Sequence, residues 1–301
     1  MKLITFEYDG LTRIGVLSQD ESSVISAEDI IGQTGRKSMT DFIAAVTPEQ
    51  MDLLRLAAFG SEEKDICRIP CIPTEEIQIL APITRPIHDI LCVGVNYRSH
   101  LEETEKWLDE EGFKPPKFIY FTKRACRITG SGGKISAHAD LDEKLDYEVE
   151  LAVIIGKKCR DVKRKEAEDV IFGYSVFNDF SARTLQQDHV QWAKGKSLDT
   201  FSAMGPVILT KEELPFPVHV DVICSVNDEV RQHSNTRLFL NDIPGIIEDL
   251  SAGMTLEPGD IIATGTPSGV AMGMAKPAYL KAGDKVECRI PEIGSLINYI
   301  E

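Results

Sequence analysis

The stretch Leu145-Asp146-Tyr147-Glu148-Val149-Glu150-Leu151-Ala152-Val153-Ile154-Ile155 is an apolar run interrupted by acids. Rich in β-branched residues and ending at Gly156, it reads as a buried strand. Side chains alternate along a strand, so Glu148 and Glu150 share one face while Val149, Leu151 and Val153 take the other. Two neighbouring carboxylates raise each other's pKa, and burying either without a partner is costly. A divalent cation with oxygen preference, Mg2+ or Mn2+, meets that demand. The same spacing equally suits an exposed edge strand whose acids are solvated.

Around this stretch, 33 basic and 48 acidic residues give a net charge of −15. That balance argues against a nucleic-acid surface or an anionic membrane as partner, and an anionic substrate needs a locally positive pocket. No apolar run approaches the roughly 20 residues that span a bilayer. Met1-Lys2-Leu3-Ile4 leads into an alternating strand rather than a signal peptide, so a cytoplasmic protein is expected. The seven cysteines are scattered without a CxxC pair, which indicates neither a complete disulfide framework nor a zinc site.

At 301 residues the chain suggests two domains. Residues 1–72 are expected to form a small N-terminal α/β domain and residues 73–301 a larger one. In the first, two alternating segments flank Asp9-Gly10, a hairpin signal, and a helical pattern over Met39 to Phe59 is broken by Pro48. The second opens with an apolar strand from Ile90 and an acidic helical stretch over Arg98 to Gly112, with Glu102 and Lys106 spaced as a supporting pair. Gly130 to Lys134 reads as a flexible turn, because Ile128 and Ile135 stand where a phosphate loop needs Gly and Ser or Thr. Val170 to Asn178 is a further strand, after which Asp179 or Ser181 can cap a short helix. Asp242, Pro244 and Gly253 frame another helix. Strands outnumber helices here, which predicts a β-rich α+β fold and not a doubly wound sheet.

Several side chains have the chemistry to complete a site. Asp179 ends a strand, where it can join the acidic pair or simply cap a helix. His100 and Glu103, three apart, share a helical face; a carboxylate there orients the imidazole and raises its basicity, although such a pair also occurs on ordinary surfaces. Lys196, in Lys194 to Thr200, can offer positive charge to an anionic intermediate or stand solvated. Gly265-Thr266-Pro267-Ser268-Gly269 can present N–H groups and the Thr266 hydroxyl to a carboxylate, or be a plain turn.

Together, Val93 to His100, Asp146 to Gly156, Gly173 to Arg183, Gly195 to Asp199 and Gly259 to Val270 resemble the fumarylacetoacetate hydrolase family, from about Ile79 to the end. The resemblance implies a mixed β-sheet roll of the C-terminal-domain type, a homodimer, and Mg2+ or Mn2+ held by Glu148, Glu150 and Asp179. It also implies His100 and Glu103 as an acid–base dyad on a lid, Lys196 as a catalytic lysine, and Arg183, Gln186 and Thr266 beside substrate. The long acidic stretch from Glu105 to Pro116 departs from the family pattern, and because the lid and neighbouring loops shape the distal pocket it leaves substrate identity open.

The implied activity is carbon–carbon hydrolysis of a small 2,4-dioxo acid, an acylpyruvate, through a metal-stabilised pyruvate enolate. An oxaloacetate decarboxylase or a keto–enol tautomerase or isomerase of the same family is the alternative. A catalytically idle binding or scaffold protein is the alternative of another class.

Overall fold

The computed structural model describes residues 1–32, 38–60, 69–104 and 119–301. The decisive stretch becomes two strands, Leu145–Asp146 and Val149–Ile155, where one was expected. Asp146 is the reason: its own carboxylate accepts the Tyr147 N–H at 2.9 Å, and Asp146 itself pairs with Ser181 in a separate two-stranded ladder. Beyond the break the alternation holds. Val149, Leu151, Val153 and Ile155 enter one core, while Ala152 and Ile154 enter another on the opposite side of the sheet.

Val149–Ile155 lies inside an 11-stranded mixed sheet. Antiparallel Ile171–Asp179 flanks it on one side and Ile261–Ala263 on the other. Outward from Ile261–Ala263 come parallel Ile90–Gly94 and then Ile119–Lys123. Outward from Ile171–Asp179 come Ser202–Thr210 and then Lys2–Tyr8, in register Leu3 to Ile208. The sheet thus runs unbroken between the N-terminal residues and the larger part of the chain, and ends in Leu11–Leu17, Ser23–Ser26 and Cys71–Pro73. Gln78–Ile79 pairs separately with Lys2–Tyr8.

A second sheet of five strands, Glu229–Asn235, Asp221–Val226, Lys285–Ile290, Gly294–Ile300 and Lys134–Ile135, packs its apolar face into the same core as Val149 and Leu151. Helices are few and short, so the β-rich α+β fold expected from the sequence is the fold observed. Among the described residues no helix is long and apolar enough to cross a membrane.

Local signals mostly act as read. Asp9 and Gly10 both take positive φ in the first hairpin, and Thr47 and Gln50 form a capping box that starts Pro48–Phe59. Asp242 caps Ile243–Ser251 by accepting the Gly245 N–H. The capping expected of Asp179 or Ser181 does not occur. Helix Arg183–Asp188 has Ala182 at its N-cap, the Ser181 hydroxyl donates to the Asp179 carbonyl, and the Asp179 carboxylate turns to two lysines. The helix after Arg98 is described as Arg98–Thr104; the rest of the expected span, Lys106 and the acidic stretch lie outside the described residues.

Candidate active site

Register brings the three acids together. Val149 pairs with Asn178, the Asn178 side chain accepts the Glu148 N–H, and the Asp179 N–H donates to the Glu148 carbonyl at 3.0 Å. One oxygen each from Glu148, Glu150 and Asp179 lies within 4.8 Å of the others, and all three residues are buried. The open edge-strand reading is therefore excluded: Val149–Ile155 is buried along its whole length.

The charges around the triad are unevenly shared. Lys196 donates to Glu148 and to Asp179, both at 2.8 Å, and Arg183 lies 2.7 Å from Glu148. Burial would raise the Glu148 carboxyl, but Lys196, Arg183 and His100 outweigh it and hold the group below its ordinary range. Glu150 accepts a backbone N–H from Gly265 at 2.8 Å and, among the described residues, has no cationic side chain within ion-pair distance. Burial first, then Asp179 and Glu148, push its carboxyl well above the usual range. Three buried carboxylates, one lacking a side-chain counterion, fit a hard divalent cation that binds through oxygen.

Lys123 was not anticipated as a site residue. It ends strand Ile119–Lys123, is fully buried, donates to the Phe180 carbonyl at 2.9 Å and forms a close ion pair with Asp179. Burial pulls its pKa down despite Asp179, whereas Asp179 and Glu148 overcome burial to lift that of Lys196. The available signal was slight: Lys123 closes an apolar strand, but Arg124 follows it directly, as at an ordinary solvated strand end. Asp146, quoted only within its motif, is also structural. It accepts Arg183 Nε at 2.9 Å and the N–H groups of Ala271 and Met272 at 2.8 and 3.0 Å.

The dyad is formed. His100 Nδ1 lies 3.2 Å from Glu103 Oε2 on helix Arg98–Thr104, and Glu103 also accepts the Gly269 N–H at 3.0 Å. Gly273 is packed against Glu103, where a methyl group would lie 2.1 Å from the carboxyl carbon. Gly265 takes φ +94° and sits so close to Asn96 that a side chain would collide at 2.8 Å. Asn96 in turn donates to the Thr264 and Asn241 carbonyls, fixing the loop that contacts Glu150.

One cavity of about 420 Å³ is lined by His100, Glu148, Glu150, Arg183, Gln186, Lys196 and Thr266. Phe121, Trp192, Val190 and Met272 give it an apolar wall. Trp192 stacks edge-on against Phe121 at 5.4 Å and needs the bare backbone of Gly94, and the Lys196 ammonium lies 5.3 Å from the Phe121 ring centre. Arg183 bonds Gln186 at 3.0 Å, and its Nη2 is buried without a partner among the described residues. Every residue singled out by the resemblance thus lies in or against this one cavity.

The family profile described as Fumarylacetoacetate (FAA) hydrolase C-terminal matches residues 89–301. The chain is 44% identical over 225 residues to oxaloacetate tautomerase YisK of Bacillus subtilis (strain 168), covering 75% of this chain and 73% of that one. Its structure is similar to fumarylacetoacetate hydrolase EaFAH of psychrophilic Exiguobacterium antarcticum, with a TM-score of 0.83, 40% identity, and coverage of 100% of this chain and 99% of that one. It is also similar to maleylpyruvate hydrolase of Sphingobium sp. SYK-6 in complex with manganese(II) ion and pyruvate, with a TM-score of 0.75, 30% identity, and coverage of 100% and 98%. A profile matched over most of the chain and these full-length likenesses place the chain in the fumarylacetoacetate hydrolase family.

Proposed function

We propose that the chain is a divalent-metal-dependent enzyme that binds a small 2-oxo acid and moves a proton at the carbon beside its keto group. Keto–enol interconversion of an oxaloacetate-like acid is the reaction. The carrying observation is the convergence of the acidic triad and the buried His100–Glu103 dyad on one cavity. Glu148, Glu150 and Asp179 would hold Mg2+ or Mn2+, which when bound supplies positive charge to offset the charge that develops on the keto oxygen.

The chain's own residues supply the proton chemistry. With Nδ1 engaged by Glu103, exchange with substrate falls to Nε2 of His100. Glu103 stabilises the imidazolium as the proton arrives, and the Gly269 N–H keeps the carboxylate in place. Returning that proton to oxygen completes the interconversion. Lys196 stays charged beside Glu148 and Asp179 and adds positive potential at the same end of the cavity.

Hydrolysis of a carbon–carbon bond in an acylpyruvate-type 2,4-dioxo acid is the second reading, favoured by the likeness to maleylpyruvate hydrolase. There the dyad takes a proton from water and hydroxide adds to the distal carbonyl; the bond to the neighbouring carbon then breaks, giving a carboxylic acid, and its electron pair leaves on the pyruvate fragment, whose carbon takes up a proton.

The test uses protein stripped with chelator and reloaded with Mg2+ or Mn2+. Oxaloacetate interconversion is followed by ultraviolet absorbance, and pyruvate release from acetylpyruvate is assayed in parallel. Metal-dependent acceleration is expected with oxaloacetate, falling about 100-fold in Glu103→Ala while metal affinity holds. Pyruvate release from acetylpyruvate alone would move the assignment to hydrolysis. No metal-dependent turnover of either acid would reject the proposal.

A further inference from the structure

Gln232 belongs to none of the stretches that carry the family resemblance. It lies on Glu229–Asn235, the outer strand of the second sheet, yet is only 1% exposed. Its side chain reaches across to the catalytic sheet and makes three hydrogen bonds. Oε1 accepts the N–H of Val149, the residue between Glu148 and Glu150, at 3.0 Å. Nε2 donates to Thr266 Oγ1 and to the Pro267 carbonyl, both at 2.8 Å. The loop also packs directly on this strand, because Gly269 leaves no room for a methyl group against the Arg231 carbonyl.

Chemistry fixes the orientation of this amide. Reversing it would set the NH2 group against the Val149 N–H and the amide oxygen against the Pro267 oxygen, losing both of those bonds, and the Thr266 hydroxyl, which could then donate to the amide oxygen, would not make up for them. Thr266 Oγ1 must therefore accept from Gln232. A hydroxyl has one proton, and Nε2 cannot accept it. Among the described residues no acceptor takes that proton, and Thr266 lines the cavity beside Glu150 and Lys196.

We infer that Gln232 is a positioning residue that turns the Thr266 hydroxyl into an obligatory donor aimed at the carboxylate of the bound 2-oxo acid. The same amide ties that donor to the strand segment bearing Glu148 and Glu150. The inference rests on the 2-oxo acid reading given above.

Gln232→Glu is the informative variant. It keeps the acceptor for Val149 but has at most one proton where the amide has two. The Pro267 oxygen can only accept, so Thr266 must give its own proton to the new carboxyl group and turn away from the cavity. The probe is pyruvate binding to Mn2+-loaded protein by calorimetry. A hydrogen bond to a charged group is at stake, so Gln232→Glu and Thr266→Val should each weaken pyruvate by about 10-fold or more. Thr266→Ser should bind as wild type, and Mn2+ affinity should stay within about 3-fold in all variants.

The double variant separates positioning from general damage. In the Thr266→Val background, adding Gln232→Glu should change nothing further, since the donor is already gone. Additive losses, or wild-type affinity in Gln232→Glu, would overturn the inference. Should Gln232→Glu not fold, Gln232→Met replaces it: the hydroxyl then turns to the vacated Pro267 oxygen with a similar loss, and wild-type affinity there would overturn the inference equally. A wild-type protein that binds Mn2+ but not pyruvate removes the proposed function, and the inference with it. That result differs from the ones that sink the inference alone.

Discussion

Glu148 and Glu150 are two residues apart and both buried, yet their surroundings push their carboxyl groups in opposite directions. Glu148 has Lys196 and Arg183, whereas Glu150 has one backbone N–H. Replacing Glu150 with Gln removes a buried carboxyl whose ionised form is poorly compensated and keeps an acceptor for Gly265. Metal-free Glu150→Gln should therefore melt no lower than wild type, while its Mn2+ affinity falls about 100-fold or more, beyond the loss typical of an outer-shell change. Thermal melts and Mn2+ titration of the two proteins check this pair of opposite effects. At this scale the i, i+2 and i, i+3 spacings put the acid pair and the dyad on shared faces but fitted solvated surfaces equally well, and the resemblance was what singled them out as a site. Lys123 and Gln232 were marked by neither. Their roles come from partners 56 and 34 residues away, and nothing adjacent to them in sequence marks either as buried.

Among the elements, the short helix Arg98–Thr104 has its dyad carboxylate wedged against Gly269 and Gly273. Gly273→Ala adds a methyl group into the space of the Glu103 carboxyl, a side-chain end that can swing aside. Turnover should fall by at least about 10-fold as Glu103 leaves His100, with stability within about 1 kcal/mol of wild type. Steady-state kinetics beside urea unfolding tests it, and an unchanged turnover would show that Glu103 need not sit there. Strand alternation was readable through Val149, Leu151 and Val153 because both faces are buried against distinct cores. The break at Tyr147 was not readable. It depends on Asp146 bonding its neighbour's N–H and on a partner strand at Ser181–Ala182, a competition that composition does not record.

For the whole molecule, the metal site proposed at the three acids would link metal, pH and stability. A carboxyl raised in the folded state favours folding while protonated, and that contribution is lost as pH rises through its folded pKa. Glu150 is such a group, and a divalent ion selects its ionised form. The stabilisation conferred by Mn2+ should therefore grow as pH increases, reaching about 2.7 kcal/mol when the free ion is about 100 times its Kd. Melting temperatures with and without Mn2+ at about pH 6 and pH 8 measure it, and a gain that shrinks with pH would contradict the assignment of Glu150.

The pairing of Leu3 with Ile208 has a consequence in time as well as in space. During synthesis at the usual 5 to 20 residues per second, the first strand waits roughly 10 to 40 s for its partner strand to be made. Until then the Lys2–Leu3 end of one edge of the nascent N-terminal hairpin is open, the Phe6–Glu7 end being met earlier by Gln78–Ile79, and Leu3, Ile4 and Phe6, which end wholly buried, await their final packing. Slowing translation just before residue 202 should thus lengthen the period in which the chain needs a chaperone, while leaving the stability of the finished protein unchanged.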